Sequence, residues 1–235
     1  MSAFRSEERT ACEAGKRFGR YRAEQEGTVR PIAVKKDPLQ EELLGRFTAS
    51  FRHDVAKFTD NYGLAKEAIA GLTYSPNDVA GFALPIAALP YERYLNSKTG
   101  WFLSALINEG RHKIYHVALP FLEEPVAYFA FRNVKNVRVA GDVGADCARE
   151  MAGGRLVIEG DAGDGLAALM NGGKVIVLGQ AGKYVGDRLY GGEIHLLGGY
   201  ESISKDCCVP CGGRIFIGKR KVVDGLWSAE GVLYG

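Results

Sequence analysis

Glycine pairs recur along the second half of this 235-residue chain at an almost fixed interval, and that interval restricts the fold more than any other feature. The pairs are Gly153-Gly154, Gly172-Gly173, Gly191-Gly192 and Gly212-Gly213, at spacings of 19, 19 and 21 residues. Single glycines keep the same beat at Gly141, Gly160, Gly179 and Gly198. Between each pair and the next single glycine lies one short β-type run, Arg155–Glu159, Lys174–Leu178, Glu193–Leu197 and Arg214–Ile217. Aligned, Leu156, Val175, Ile194 and Ile215 form one aliphatic column, and Ile158, Val177, Leu196 and Ile217 form a second. The first position of every run is charged. Alternation of period two, repeated in register, predicts one inward face and one outward face.

The rest of each unit repeats as well. Val143, Ala162 and Ala181 share a phase, as do Cys147, Leu166 and Val185, then Ala148, Ala167 and Gly186, then Met151, Met170 and Leu189. A 19-residue unit holding one strand cannot bury its own core, so successive units must stack as a solenoid. Small residues at one phase imply close approach of neighbouring coils, and glycine suits corners that are crowded or need a positive φ.

The phrase GxxGxxxG is complete at Gly179, Gly182 and Gly186. It recurs with alanine last at Gly160, Gly163 and Ala167, and at Gly141, Gly144 and Ala148. This resembles the GXGXG family, which includes the C-terminal domain of the glutamate synthase large subunit and one of the subunits of formylmethanofuran dehydrogenase. The resemblance covers residues 137–218. It implies a right-handed single-stranded β-helix that holds catalytic partners together and does not itself bind the reacting groups. The chain departs from both relatives in having few coils, no glutaminase or synthase domain, and an unrecognised N-terminal module.

The expected class is therefore α+β, in four parts: a charged arm over 1–36, an α-rich or mixed module over 37–135, the β-helix over 136–218, and a C-terminal cap over 219–235. The arm has nine Lys and Arg against five Asp and Glu, within a chain of net charge +2. So small a surplus reads as a solvated arm and not a nucleic-acid contact. It lacks the apolar core of a secretory signal, and no stretch approaches the ~20 apolar residues of a membrane span. Five cysteines without a signal read as reduced thiols of a cytoplasmic protein.

In the module, Asp37, Pro38 and Gln40 mark a helix start with a capping box. Leu39, Leu43, Leu44, Phe47, Phe51, Val55 and Phe58 predict one apolar stripe over about 20 residues, stopped by Asn61 and Gly63. Leu64–Ala70 reads as a second helix, Ser75-Pro76-Asn77-Asp78 as another start, and Trp101–Ile107 as helical to near Gly110. Lys113–Leu119 and Val126–Phe131 read as strands.

Chemical motifs are sparse. Gly163-Asp164-Gly165 imitates a dinucleotide fingerprint, but the next glycine pair arrives too soon for the helix that such a site needs. Cys207, Cys208 and Cys211 offer half of a zinc or redox spacing without a second pair. Asp142, Asp161, Asp164 and Asp187 sit at corners, where they suit backbone donors better than calcium. His53, His112, His116 and His195 form no catalytic set. Val157, Ile176, His195 and Phe216 share an outward column, with Leu178 and Leu197 beside it, which calls for a covered side. The expected function is a non-catalytic scaffold or assembly subunit without cofactors, accessory to an oxidoreductase-type complex. Its expected partners are proteins, either further copies of the chain or oxidoreductase subunits, and not nucleic acid or membrane. The alternatives are an enzyme with its site in 37–135, or a self-assembling structural protein.

Overall fold

A computed structural model describes residues 37–51, 60–90, 92–119, 124–207 and 212–224. The expectations for 1–36, Cys12, His53, Val55, Phe58, Cys208, Cys211 and 225–235 lie outside them. Among these residues five helices come first: α1 (Pro38–Ser50), α2 (Asn61–Ile69), α3 (Pro76–Gly81), α4 (Ala83–Ala87) and α5 (Leu95–Glu109). Seven strands follow in one sheet, in chain order: β1 (Ile114–Ala118), β2 (Asn136–Ala140), β3 (Arg155–Ile158), β4 (Lys174–Val177), β5 (Glu193–Leu196), β6 (Arg214–Ile217) and β7 (Arg220–Asp224). β1 to β6 are parallel, and β7 turns back antiparallel on β6.

Six parallel strands in sequential order, joined by irregular loops and not by helices, make a β-solenoid of about five turns. The register pairs Leu156, Val175, Ile194 and Ile215 in one ladder, and all four are fully buried. Each contributes about 1.5–3 kcal/mol of burial. Ile158, Val177 and Leu196 are equally buried, whereas Ile217, on the last coil, stays half-exposed. The loop columns line the other wall. Val126, Val143, Ala162, Ala181 and Tyr200 bridge in parallel, and Cys147, Leu166, Val185, Met151, Met170 and Leu189 are fully buried.

The solenoid begins at Ile114, ahead of the boundary expected at 136. Val126–Phe131 is accordingly not a strand. Only Val126 bridges, while Tyr128, Ala130 and Arg132 have left-handed φ of 57°, 58° and 53°. This is the loop wall of the first coil. The same alternation recurs at Asp146, Ala148 and Glu150, at Gly165, Ala167 and Leu169, and at Tyr184, Gly186 and Arg188. Left-handed backbone costs about 1 kcal/mol or more per non-glycine residue. Alternate amides bond to opposite neighbours: Asp146 N–H donates to the Asp164 carbonyl, Ala148 N–H to Phe129, and Glu150 N–H to Ala168, each at 2.8 Å. The small side chains at 148, 167 and 186 therefore answer to backbone conformation as much as to close approach.

Close approach governs the other corner. A Cβ on Gly160 would lie 2.6 Å from the Gly141 backbone, and one on Gly179 would lie 2.6 Å from the Gly160 carbonyl oxygen. The corner aspartates make rungs between coils. Asp142 Oδ1 accepts from the Asp161 amide at 2.8 Å, Asp161 Oδ1 from the Gln180 amide at 2.6 Å, and Asp164 Oδ1 from the Lys183 amide at 2.7 Å. Asp187 Oδ1 accepts from the Ser204 hydroxyl at 2.8 Å.

The helices close the upstream end. Asp37 caps α1 by accepting from the Leu39 amide at 3.0 Å. Gln40 does not complete a box; its Nε2 donates to the Asp78 carbonyl at 2.9 Å and ties α1 to α3. Asn61 and Gly63 do not stop a helix. They form the first turn of α2, because Asp60 caps it by accepting from the Gly63 amide at 2.9 Å. Ser75 and Asp78 form the capping box of α3, which packs against β1. Leu43, Phe47, Phe51, Phe82 and Phe102 make an aromatic-rich core.

Helix α5 lies on the first loop wall. A Cβ on Gly100 would meet the Ala127 carbonyl oxygen at 1.7 Å, so only glycine fits there. Trp101 stacks on Tyr128 at 4.6 Å. Ser104 Oγ lies 3.1 Å from the Tyr128 carbonyl and accepts from the Phe131 amide at 3.1 Å. Asn108 donates to the Phe131 carbonyl at 3.0 Å and accepts from the Val134 amide at 3.3 Å. In the next coil the matching carbonyl, Arg149, is served by the Arg132 amide. Ser104 and Asn108 thus stand in for a missing preceding coil.

Candidate protein-docking face

The outward side of the sheet carries three columns. Register places Asn136, Arg155, Lys174, Glu193 and Arg214 along one rim. The middle column runs His116, Arg138, Val157, Ile176, His195 and Phe216. The third holds Glu159, Leu178 and Leu197, whose amides continue the ladders to Val139, Ile158 and Val177. Val157, Ile176 and Phe216 are only half-buried, and Leu178 and Leu197 are 43% and 52% exposed. An open depression of about 480 Å³ runs over this face, floored by Val157, Ile176, Leu178 and Leu197 and reaching Ile114 and His116. The described helices leave this stripe uncovered.

The rim is an ion-pair network. Glu193 accepts from Lys174 Nζ at 2.6 Å on one side and pairs with Arg214 at 3.0 Å on the other. His195 Nε2 lies 3.1 Å from the same carboxylate, and its ring stacks on Phe216 at 4.5 Å and 9°. The hydrogen bond from Lys174, with that from His195, holds the Glu193 carboxyl down at about 2. Arg138 pairs with Glu159 at the β2–β3 end of the apolar columns. Register continues the rim onto β7 at Asp224, and three cations against two acidic residues leave it positive.

His195 lies within this network, as the outward column anticipated. His112 and His116 are both exposed, His116 on β1 and His112 before it. Gly163, Asp164 and Gly165 belong to a solenoid corner, not to the start of a helix. Cys147 and Cys207 are both buried, and burial pushes the Cys147 thiol far above its ordinary range. Among the described residues no three His, Cys, Asp or Glu side chains gather as a metal site, and no helix is long and apolar enough to cross a membrane.

The glycines singled out by spacing divide between the two structural reasons. Gly141, Gly154, Gly173, Gly186, Gly192 and Gly212 have positive φ. At Gly144, Gly160, Gly163, Gly172, Gly179, Gly182, Gly191 and Gly213 a Cβ would come within 3 Å of a neighbouring coil, whereas Gly153 has open space. Sequence reasoning missed Ser104 and Asn108, although polar residues four apart in an otherwise apolar helix were a visible signal. It also missed Lys98, which is buried on α5 and paired with Glu92.

No protein family, curated protein or solved structure matches this chain.

Proposed function

We propose that this chain is a non-catalytic scaffold or assembly subunit that docks a protein partner on the outward face of its solenoid. The observation that carries the reading is the part-exposed stripe of Val157, Ile176, Leu178, Leu197 and Phe216, which among the described residues neither the helices nor a neighbouring coil covers. A contiguous apolar patch rimmed by charge marks an interaction surface. The ionisable groups beside it, Glu193 and His195, are engaged with each other and with Lys174 and Arg214, which suits positioning better than proton transfer. The glycine phrase supports a right-handed winding of the GXGXG kind, and with it an accessory role in an oxidoreductase-type complex in the cytoplasm. That last step is an analogy of fold.

The test is purification of the tagged full-length chain from its native cells, beside an Ile176→Asp variant, followed by light scattering. Stoichiometric co-elution of an oxidoreductase component with the wild type alone is the expected result. A partnerless monomer, or turnover by the isolated chain, overturns the proposal.

A further inference from the structure

The shape and charge of the outward face specify its occupant further. The apolar stripe runs from β3 to β6 in the middle column, three strand spacings or about 14 Å with His195 at the third place, and widens to two side-chain columns, about 7 Å, at β4 and β5, where Leu178 and Leu197 flank it. That footprint is far below the ~800 Å² per partner of a stable dimer interface, so a second copy packed face to face is a poor match. Ladder hydrogen bonds lie in the plane of the sheet, so the face itself offers no backbone donors or acceptors. An extended strand laid on it would leave its own amides and carbonyls unpaired. A helix satisfies its backbone internally, and about ten residues of helix span 14 Å. One rim carries Arg155, Lys174 and Arg214 against Glu193 and, by register on β7, Asp224, and the opposite side carries Glu159, paired with Arg138, and Asp142 and Asp161, which accept from backbone amides.

Resting on the docking function proposed above, we infer that the occupant is an amphipathic helix of a partner protein, apolar on one side with carboxylates along a single flank. Its apolar residues sit over Ile176 and Leu197, and its carboxylates face Arg155 and the Lys174–Arg214 rim.

The probes are two labelled helix-favouring peptides of about 14 residues, with leucines at i, i+3, i+4 and i+7 and either glutamates or lysines along one flank. Fluorescence anisotropy with the full-length chain reads binding. The acidic peptide is expected to bind at least about ten-fold more tightly than the basic one, and more weakly as salt rises. Ile176→Asp should cost at least about ten-fold, with Ile176→Ala as the milder variant if circular dichroism shows misfolding. Arg155→Glu should narrow or reverse the preference between peptides. Equal binding of both peptides, or none of either, overturns the inference. So does a dimer that Ile176→Asp dissolves, or peptide binding that appears only when the chain is cut after residue 224. If the native complex is lost in Ile176→Asp but the peptides fail, only the helix assignment falls; if the complex persists in Ile176→Asp, docking on this face falls with it; absence of any partner defeats the scaffold reading too.

Discussion

Single residues here carry roles that their chemical type does not announce. Gly100 sits mid-helix, where alanine would ordinarily gain about 1 kcal/mol of propensity. The Ala127 carbonyl oxygen lies 1.7 Å from where its Cβ would be, so the clash wins. Gly100→Ala is expected to lose about 1–3 kcal/mol in urea denaturation, by lifting α5 from the first coil. A gain in stability would refute that contact. Glu193 behaves differently. Its folded value of about 2 lies below the ordinary glutamate value of 4.5. A depressed carboxylate contributes stability that is fully present above pH 4.5 and disappears as pH falls through about 2. The group is partly solvated, so the contribution is about 1 kcal/mol. Glu193→Gln should therefore lie below wild type at pH 7 and converge with it near pH 2, as measured by chemical denaturation across that range.

At the scale of elements, α5 replaces a coil. Ser104→Ala with Asn108→Ala would strip the Asn108 donor from the Phe131 carbonyl, leave the Phe131 amide only its 3.3 Å bond to the Tyr128 carbonyl, and hand the exposed Val134 amide to water. A buried group left unpaired costs about 1–3 kcal/mol, which here falls chiefly on the Phe131 carbonyl. Hydrogen exchange should quicken at Phe131 and Val134 while β4 stays protected, since coils feel chiefly their neighbours. Uniform loss of protection would mean that the cap and the solenoid unfold together.

This cap also shows what a one-dimensional reading can reach. The strand ladders were legible because Leu156, Val175, Ile194 and Ile215 repeat at near-constant phase, and the outward column followed from the same alternation. Ser75 and Asp78 announced α3 by local chemistry. Asn61 and Gly63 misled because their composition suits a helix end, while the deciding group is the Asp60 carboxylate one residue earlier. Val126–Phe131 has the β-branched and aromatic content of a strand, but its backbone is set by hydrogen bonds to the Ala145–Arg149 coil, which no local window contains. The Glu193 network was hidden likewise. It requires three strands in register, and only their separate charges were visible.

Across the whole molecule, the aspartate rungs set a rule of length. Asp142 reaches the amide of Asp161, and Asp161 that of Gln180, each 19 residues onward. A tandem copy of residues 160–178 placed after Leu178 would renew every rung, glycine contact and aliphatic ladder. That longer chain is expected to fold with unchanged strand content by circular dichroism and to resist urea at least as well as the parent. The same insert with one loop residue deleted should turn a strand's inward set outward, or leave a rung empty, and lose cooperative unfolding. Equal tolerance of both inserts would show the rungs to be incidental. The helical block and the terminal hairpin can thus be moved apart only in whole-number increments of about 4.8 Å. Such a body is a graduated spacer, whose divisions are fixed by side chains no longer than an aspartate.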